Sequence, residues 1–94
     1  IPFRIIVAPF VRDAEYFIRE SDFFFKECRI ITKMEQLHGY DFRDRPGRPP
    51  NNGWEVWLLT GHWPLHTRKD IDRFNQTYTY LKYVLQADVR RWWT

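Results

Sequence analysis

Few residues in this chain are of a type and spacing that could do chemistry. His62 and His66 stand four apart in His62-Trp63-Pro64-Leu65-His66, the interval at which two imidazoles on one helical turn grip zinc. Pro64 lies between them, and a helix through it would lose an amide donor and clash with the preceding turn. With no third ligand close by in sequence, the pair reads as two polar loop residues, and no metal is expected. Cys28, the single cysteine, could act as a nucleophile with His38 as its base. It falls, however, on the apolar side of the first helix expected below, where a thiol behaves as a small hydrophobe. The sequence carries no Gly-rich phosphate loop, no Ser or Thr nucleophile signature and no paired carboxylates in a catalytic setting. It reads as non-enzymatic, with no catalytic residue, cofactor or small-molecule substrate.

The stronger chemical signal is cationic. Arg43, Arg45 and Arg48 lie in and beside a loop where long side chains can reach phosphates without distorting a sheet. Arginine suits that task because its planar fork gives two parallel hydrogen bonds to an oxyanion. Asp41 and Asp44 interleave with these arginines and could neutralise them. The expectation is contact with RNA phosphates, so replacing the three arginines should flatten the salt dependence of assembly. Arg90 and Arg91, followed by Trp92 and Trp93, form a second cluster whose rings can stack on bases or dock on a protein. Arg4 is expected to assist at phosphate. Trp54, Trp57, Trp92 and Trp93 are the candidates for a protein interface.

Composition agrees with a small binding domain. The 94 residues carry a net charge of +3, 19% aromatic residues and five Trp. This length suits one domain spanning residues 1–94, with a thin core that large rings help to fill. A lone cysteine allows no internal disulfide and fits a reducing compartment. No apolar run reaches the roughly 18 residues of a membrane span. The chain starts at Ile1 without Met, which fits a cleaved targeting segment.

These side chains need elements to hold them. Phe3-Arg4-Ile5-Ile6-Val7-Ala8, between Pro2 and Pro9, has the continuous apolar character of a strand buried on both faces or central in a sheet. Asp13 as N-cap opens a helix whose stripe runs through Phe17, Ser21, Phe24, Phe25 and Cys28. From Arg29 the period shortens to alternation, which predicts a second strand running, past a bulge near His38-Gly39, to Tyr40 and Phe42. Residues 45–53, rich in Pro, Gly and Asn, can hold neither helix nor central strand. Trp54 to Leu59 alternates as a third strand. A second helix opens near Thr67, with Asp70 in its first turns and Ile71, Phe74 and Tyr78 on one side. Tyr83 to Arg91 is read as a fourth strand. The order βαββαβ predicts an α+β, ferredoxin-like fold: a four-stranded antiparallel sheet with both helices on one face.

With that order the chain resembles the bacterial-type ribosomal protein six family of the small subunit over nearly its whole length. Phe3-Arg4-Ile5-Ile6-Val7 is similar to the family's opening strand, with Arg4 where an acid is usual. Lys33-Met34-Glu35-Gln36-Leu37-His38-Gly39 resembles its second-strand run, with one residue inserted. Gly53-Trp54 looks like its Gly-Tyr entry to the third strand, Pro64 like the proline before its second helix, and Phe74 to Val89 like its closing pattern. Asp41-Phe42-Arg43-Asp44-Arg45-Pro46 departs from the family's Arg-Arg-Leu-Ala-Tyr-Pro. The resemblance implies a structural constituent of the ribosome that binds small-subunit rRNA beside ribosomal protein eighteen; the divergence from the family and the many aromatic residues point to a mitochondrial ribosome, with the cytoplasmic ribosome of a bacterium as the alternative. Two other readings fit the same layout: a ferredoxin-like protein-interaction module, and an adaptor akin to an RNA-recognition motif, whose basic-Gly-aromatic signature Gly53-Trp54-Glu55-Val56-Trp57 matches loosely.

Overall fold

The computed structural model of the chain describes residues 1–93. Four strands, β1 (Arg4–Val7), β2 (Cys28–Ile31), β3 (Glu55–Leu58) and β4 (Val89–Arg91), form one sheet in the order β2-β1-β3-β4. Every pairing is parallel: Ile6 sits opposite Ile30 on one side and Trp57 on the other, and Trp57 opposite Arg90. Helix α1 (Val11–Glu20) joins β1 to β2, and α2 (Arg68–Thr79) joins β3 to β4.

The expected element order is therefore present, but the antiparallel ferredoxin-like sheet is not. β2 does not turn back on a neighbour. Its connection, residues 32–54, crosses over β1 and delivers the chain to β3 in the same direction. Parallel strands of this kind are buried on both faces, and the continuous apolar run of β1 meets that demand. Ile5 and Val7 point to one face with Val56, Leu58, Phe74 and Leu81; Ile6 and Ala8 point to the other with Ala14, Phe17 and Ile18. Since α2 supplies the first set of partners and α1 the second, the two helices cover opposite faces. Right-handed crossovers require this when the chain winds outward from the centre in both directions.

Several local expectations shift for identifiable reasons. α1 begins two residues before Asp13, with Phe10 as an N-cap that offers no side-chain bond. It ends at Glu20 because Asp22 takes a left-handed φ of 57°, so Phe24, Phe25 and Cys28 lie beyond it and Cys28 belongs to β2. The stretch Met34–Leu37 is a 3₁₀ turn rather than strand, since Gln36 Oε1 turns back to accept from the amides of Thr32 at 2.9 Å and Lys33 at 3.0 Å. Its Leu37, together with Phe42, is buried under the sheet on the α2 face, doing the covering that a crossover helix would do. α2 opens as its sequence indicates: Thr67 Oγ1 accepts from the Asp70 amide at 3.1 Å, and the Asp70 carboxylate accepts from the Thr67 amide at 3.3 Å. Of the segment read as a fourth strand, Tyr83 and Val84 are helical instead, residues 85–88 are irregular, and Val89–Arg91 alone join the sheet. A π turn, Tyr80–Val84, prolongs α2, with the Leu85 amide bonded to the Tyr80 carbonyl at 2.9 Å. Gln86, at φ 57°, breaks the helix and leaves only Val89–Arg91 for the sheet. Among the described residues no helix is long and apolar enough to cross a membrane.

Candidate nucleic-acid interface

The loop arginines are already engaged. Arg43 Nε lies 3.0 Å from Asp41 Oδ1, and Arg43 also donates to Asp41 Oδ2 at 3.2 Å. Arg45 pairs with the same carboxylate. These hydrogen bonds from Arg43, with both guanidinium charges nearby, hold the Asp41 carboxyl far below the usual carboxylate range. Two cations thus share one anion, while Arg48 stands exposed with no ion-pair partner among the described residues.

Arg4 is engaged more fully. Its guanidinium bridges Glu27 at 2.9 Å and Glu55 at 3.1 Å and lies over the rings of Phe3 and Phe23, 4.4 and 3.9 Å from their centroids. A guanidinium saturated in this way holds the amino-terminal ends of β1 and β3 together and has little left for a phosphate.

Three of the four candidate interface tryptophans serve the chain's own core. Trp54 meets Tyr40 edge to face at 5.3 Å. Trp57 and Trp92 both pack on Phe17 at 5.1 Å between ring centroids, and Phe23 completes the cluster beneath α1. The Trp57 indole donates to Glu55 Oε1 at 2.6 Å. Such ring pairs add about 0.5–1.5 kcal/mol each beyond area burial, so these residues stabilise the fold first. Trp93 is different: 63% of its surface is exposed.

Around Trp93 the structure gathers something the sequence did not display. Arg91 sits between two rings, its Cζ 4.4 Å from the Trp93 centroid and 4.9 Å from that of Tyr78. Lys82 Nζ in turn lies 5.6 Å from the centroids of both Tyr78 and Tyr83. The result is a continuous ladder, Trp93, Arg91, Tyr78, Lys82, Tyr83, in which rings and cations alternate. Its two end rings are the exposed ones, Tyr83 at 65%. Arg90 lies at the same edge of the sheet but points to the α1 face, 5.6 Å from the Trp57 ring. None of Lys82, Arg90 and Arg91 has a carboxylate within ion-pair distance among the described residues.

Each rung has a local cause. Alternation along β4 sends Val89 and Arg91 toward α2, and Arg90 and Trp92 toward α1. Arg91 Nε is fixed by Thr60 Oγ1 at 3.2 Å, and Trp92 extends the strand by donating to the Leu58 carbonyl at 2.8 Å. Tyr78 and Lys82 are one helical turn apart, and Lys82 Nζ donates to Tyr78 Oη at 3.3 Å; that bond, with the tyrosines nearby, raises the Lys82 ammonium above its ordinary value and keeps it charged. The sequence signal for this cluster was half visible, in Arg90-Arg91-Trp92-Trp93. The other half, Tyr78-x-x-x-Lys82-Tyr83, lay in a segment read partly as strand, where i,i+4 neighbours do not meet.

The remaining candidates separate. Cys28 packs toward the α1 face, while the His38 ring lies against Tyr80 on the α2 face, so they form no catalytic pair. His62 faces Asp13 at 3.4 Å, whereas His66 is exposed, and no group of metal-binding side chains occurs among the described residues.

Comparison of the chain with protein-family models, with curated proteins and with solved structures yields no match.

Proposed function

We propose that this chain is a non-enzymatic domain that binds single-stranded nucleic acid along its β4 edge. The observation that carries the reading is the ladder from Trp93 through Arg91, Tyr78 and Lys82 to Tyr83. Single strands are held by combining exposed rings, on which bases stack whatever their sequence, with cations that follow the phosphates. Here two exposed rings flank two cations with no carboxylate at ion-pair distance among the described residues, and Arg90 adds a third positive charge on the opposite face of the same strand. The loop of Arg43 and Arg45, with its charge shared with Asp41, takes the secondary place.

The ribosomal setting implied by the resemblance, with small-subunit rRNA, ribosomal protein eighteen and a mitochondrial location, loses the antiparallel fold it depended on. What remains supported is the contact with a polyanion that presents bases. Binding of a labelled single-stranded oligonucleotide, RNA and DNA in parallel, tests it by fluorescence anisotropy. The parent should bind either strand, and the Tyr83→Ala and Trp93→Ala exchanges should each weaken binding by about 1–3 kcal/mol, the usual worth of one stacked base. Both residues are surface-exposed, so the fold survives their loss. Absence of binding by the parent, or affinity untouched in both variants, would refute the reading.

A further inference from the structure

The ladder occupies one edge of the sheet, β4; the other edge is β2, which pairs with β1 alone. The Ile31 carbonyl accepts from the Ala8 amide at 3.0 Å, so Ile31 turns its main-chain groups toward β1. Because successive residues of a strand alternate, Cys28, Ile30 and Thr32 turn theirs to the open side. The two ends of that row are tied down within the chain. The Cys28 amide donates to the Phe25 carbonyl, the Thr32 amide to Gln36 Oε1 at 2.9 Å, and the Thr32 carbonyl accepts from Arg73 at 2.8 Å. Between them the amide and carbonyl of Ile30 have no hydrogen-bond partner among the described residues. A free edge of this kind is a template for another strand.

The same edge borders a groove of about 510 Å³ that lies between β2 and residues 36–40, within the size range of ligand sites. Arg29 pairs in register with Ile5, so its side chain rises on the α2 face. It donates to Tyr40 Oη at 2.8 Å, which fixes the guanidinium across the groove that both residues line. Gln36 commits its side-chain oxygen to the amides of Thr32 and Lys33 and keeps its NH₂ donor, and the His38 ring adds an N–H. Among the described residues no acid lines this groove; Glu35 borders a separate depression with Lys33 and Arg73. Arg29 itself makes no ion pair among the described residues.

We propose that β2 accepts one more strand, an extended segment of a partner protein with a carboxylate side chain set against Arg29. Its main chain completes the hydrogen bonds of Ile30, as in other cases of strand addition. Its side chains alternate, acidic toward the groove and apolar toward the α1 face, where Cys28 and Ile30 pack. Neighbouring side chains on one face of paired strands attract when their charges are opposite and repel when they are alike. That disfavours a second copy of this chain, since antiparallel pairing of β2 with itself sets two Arg29 side chains opposite or diagonal on one face. A nucleic acid presents no row of main-chain groups to match Ile30. The site is independent of the nucleic-acid ladder at the opposite edge.

An end-capped peptide with one Glu flanked by Val on both sides, titrated into the whole chain, tests the proposal through the NMR signals of the Ile30 amide and the Arg29 Nε–H. Both should shift to saturation at millimolar concentration or below. Replacing the peptide's Glu by Gln, or Arg29→Gln in the chain, should each weaken binding about fivefold, the upper range for an ion pair open to solvent. The two exchanges together should cost no more than either alone. Methylating the peptide's amide nitrogens, which leaves the carboxylate in place, should abolish binding. Arg29 is exposed, so the fold survives its exchange. An unmoved Ile30 amide, equal affinity for the Glu and Gln peptides, or undiminished binding of the methylated peptide would overturn the proposal. So would an Ile30 shift produced by raising the concentration of the chain alone, the mark of a second copy, or by adding an oligonucleotide. Oligonucleotide affinity should be the same in Arg29→Gln as in the parent; its loss would make this groove part of the nucleic-acid surface and overturn the proposal too.

Discussion

Arg4 shows how one side chain can look like a ligand in the sequence and act as a strut in the structure. A lone arginine in an apolar strand, Phe3-Arg4-Ile5-Ile6-Val7, has no visible partner within the segment; its partners are Glu27, in the turn just before β2, and Glu55, at the start of β3. Nothing short of the strand pairing brings them together, so the role was illegible before the sheet was known. The arrangement has a consequence for acid stability. Burial would raise the Glu55 carboxyl, but the hydrogen bonds it accepts from Trp57 and Arg4, with the charge of Arg4, outweigh burial and lower it below the ordinary 4.5. A carboxyl lowered by folding adds stability that is complete above its unfolded value and drains away as the pH falls through its folded one. Arg4→Met should therefore destabilise the chain at neutral pH by about 2–3 kcal/mol, because two half-buried carboxylates lose their counter-charge. It should also make stability less sensitive to acid below pH 4.5. Urea unfolding of both proteins at pH 7 and at successively lower pH measures both effects; an acid limb of unchanged steepness would remove Arg4 as the cause.

At the scale of elements, the sequence was legible where a cap or a periodic stripe acts within a few residues, and opaque where a residue acts across the fold. The Thr67–Asp70 box that opens α2, the apolar run of β1 and the alternation of β3 were all readable. The end of α2 was not, because Val84 and Ala87 look like strand and the element that claims Tyr80–Val84 is a π turn stabilised by the Leu85-to-Tyr80 bond. Asn51 is a second such case. In the sequence it is one polar residue in a Pro- and Asn-rich loop. In the fold it is buried, at φ 54°, and its amide clamps the chain just before β4, donating to the Asp88 carbonyl at 2.8 Å and accepting from the Asp88 amide at 2.7 Å. Asn51→Ala removes both bonds and places a residue with no polar group in a left-handed conformation, for a loss of about 2–4 kcal/mol. Because β4 carries Arg91 and leads to Trp93, the same exchange should weaken oligonucleotide binding although Asn51 lies outside the ladder. Calorimetric unfolding and anisotropy on one preparation check the pair of effects; full affinity in a chain destabilised as expected would show that the ladder does not depend on β4 being pinned.

At the scale of the whole molecule, the missed feature was strand direction, and the reason is instructive. Hydrophobic period identifies a strand but carries no sign of its direction, and the order βαββαβ is common to antiparallel and parallel layouts. Two residue-level signs did favour the parallel sheet. One was the strand of apolar residues in β1, which only a two-sided cover satisfies; the other was the length of the segment between β2 and β3, far beyond a hairpin turn. The folded surface, 6249 Å², is close to the roughly 5,900 Å² that size scaling gives for a compact monomer of this mass, so two helices and the crossover segment suffice to close a sheet of four short strands. The winding also decides where charge is free. It buries Arg4 among carboxylates at the amino ends of the strands and holds Arg43 and Arg45 on Asp41, while it leaves Lys82 and Arg91 on the α2 side of the β4 edge and Arg90 on its α1 side, none of them in an ion pair among the described residues. If those three carry the phosphate contacts, the logarithm of the binding constant should fall with the logarithm of salt concentration at a slope of about −2, since each contact on a single strand contributes about −0.7. Replacing Lys82 and Arg91 by Gln should bring the slope to about −0.7, whereas replacing Arg43 and Arg45 by Gln should leave it nearly where it was, because their charge is already offset within the loop. Anisotropy titrations across a salt series measure all three slopes, and a loop variant that flattens the dependence while the edge variant does not would move the interface from β4 to the arginine loop.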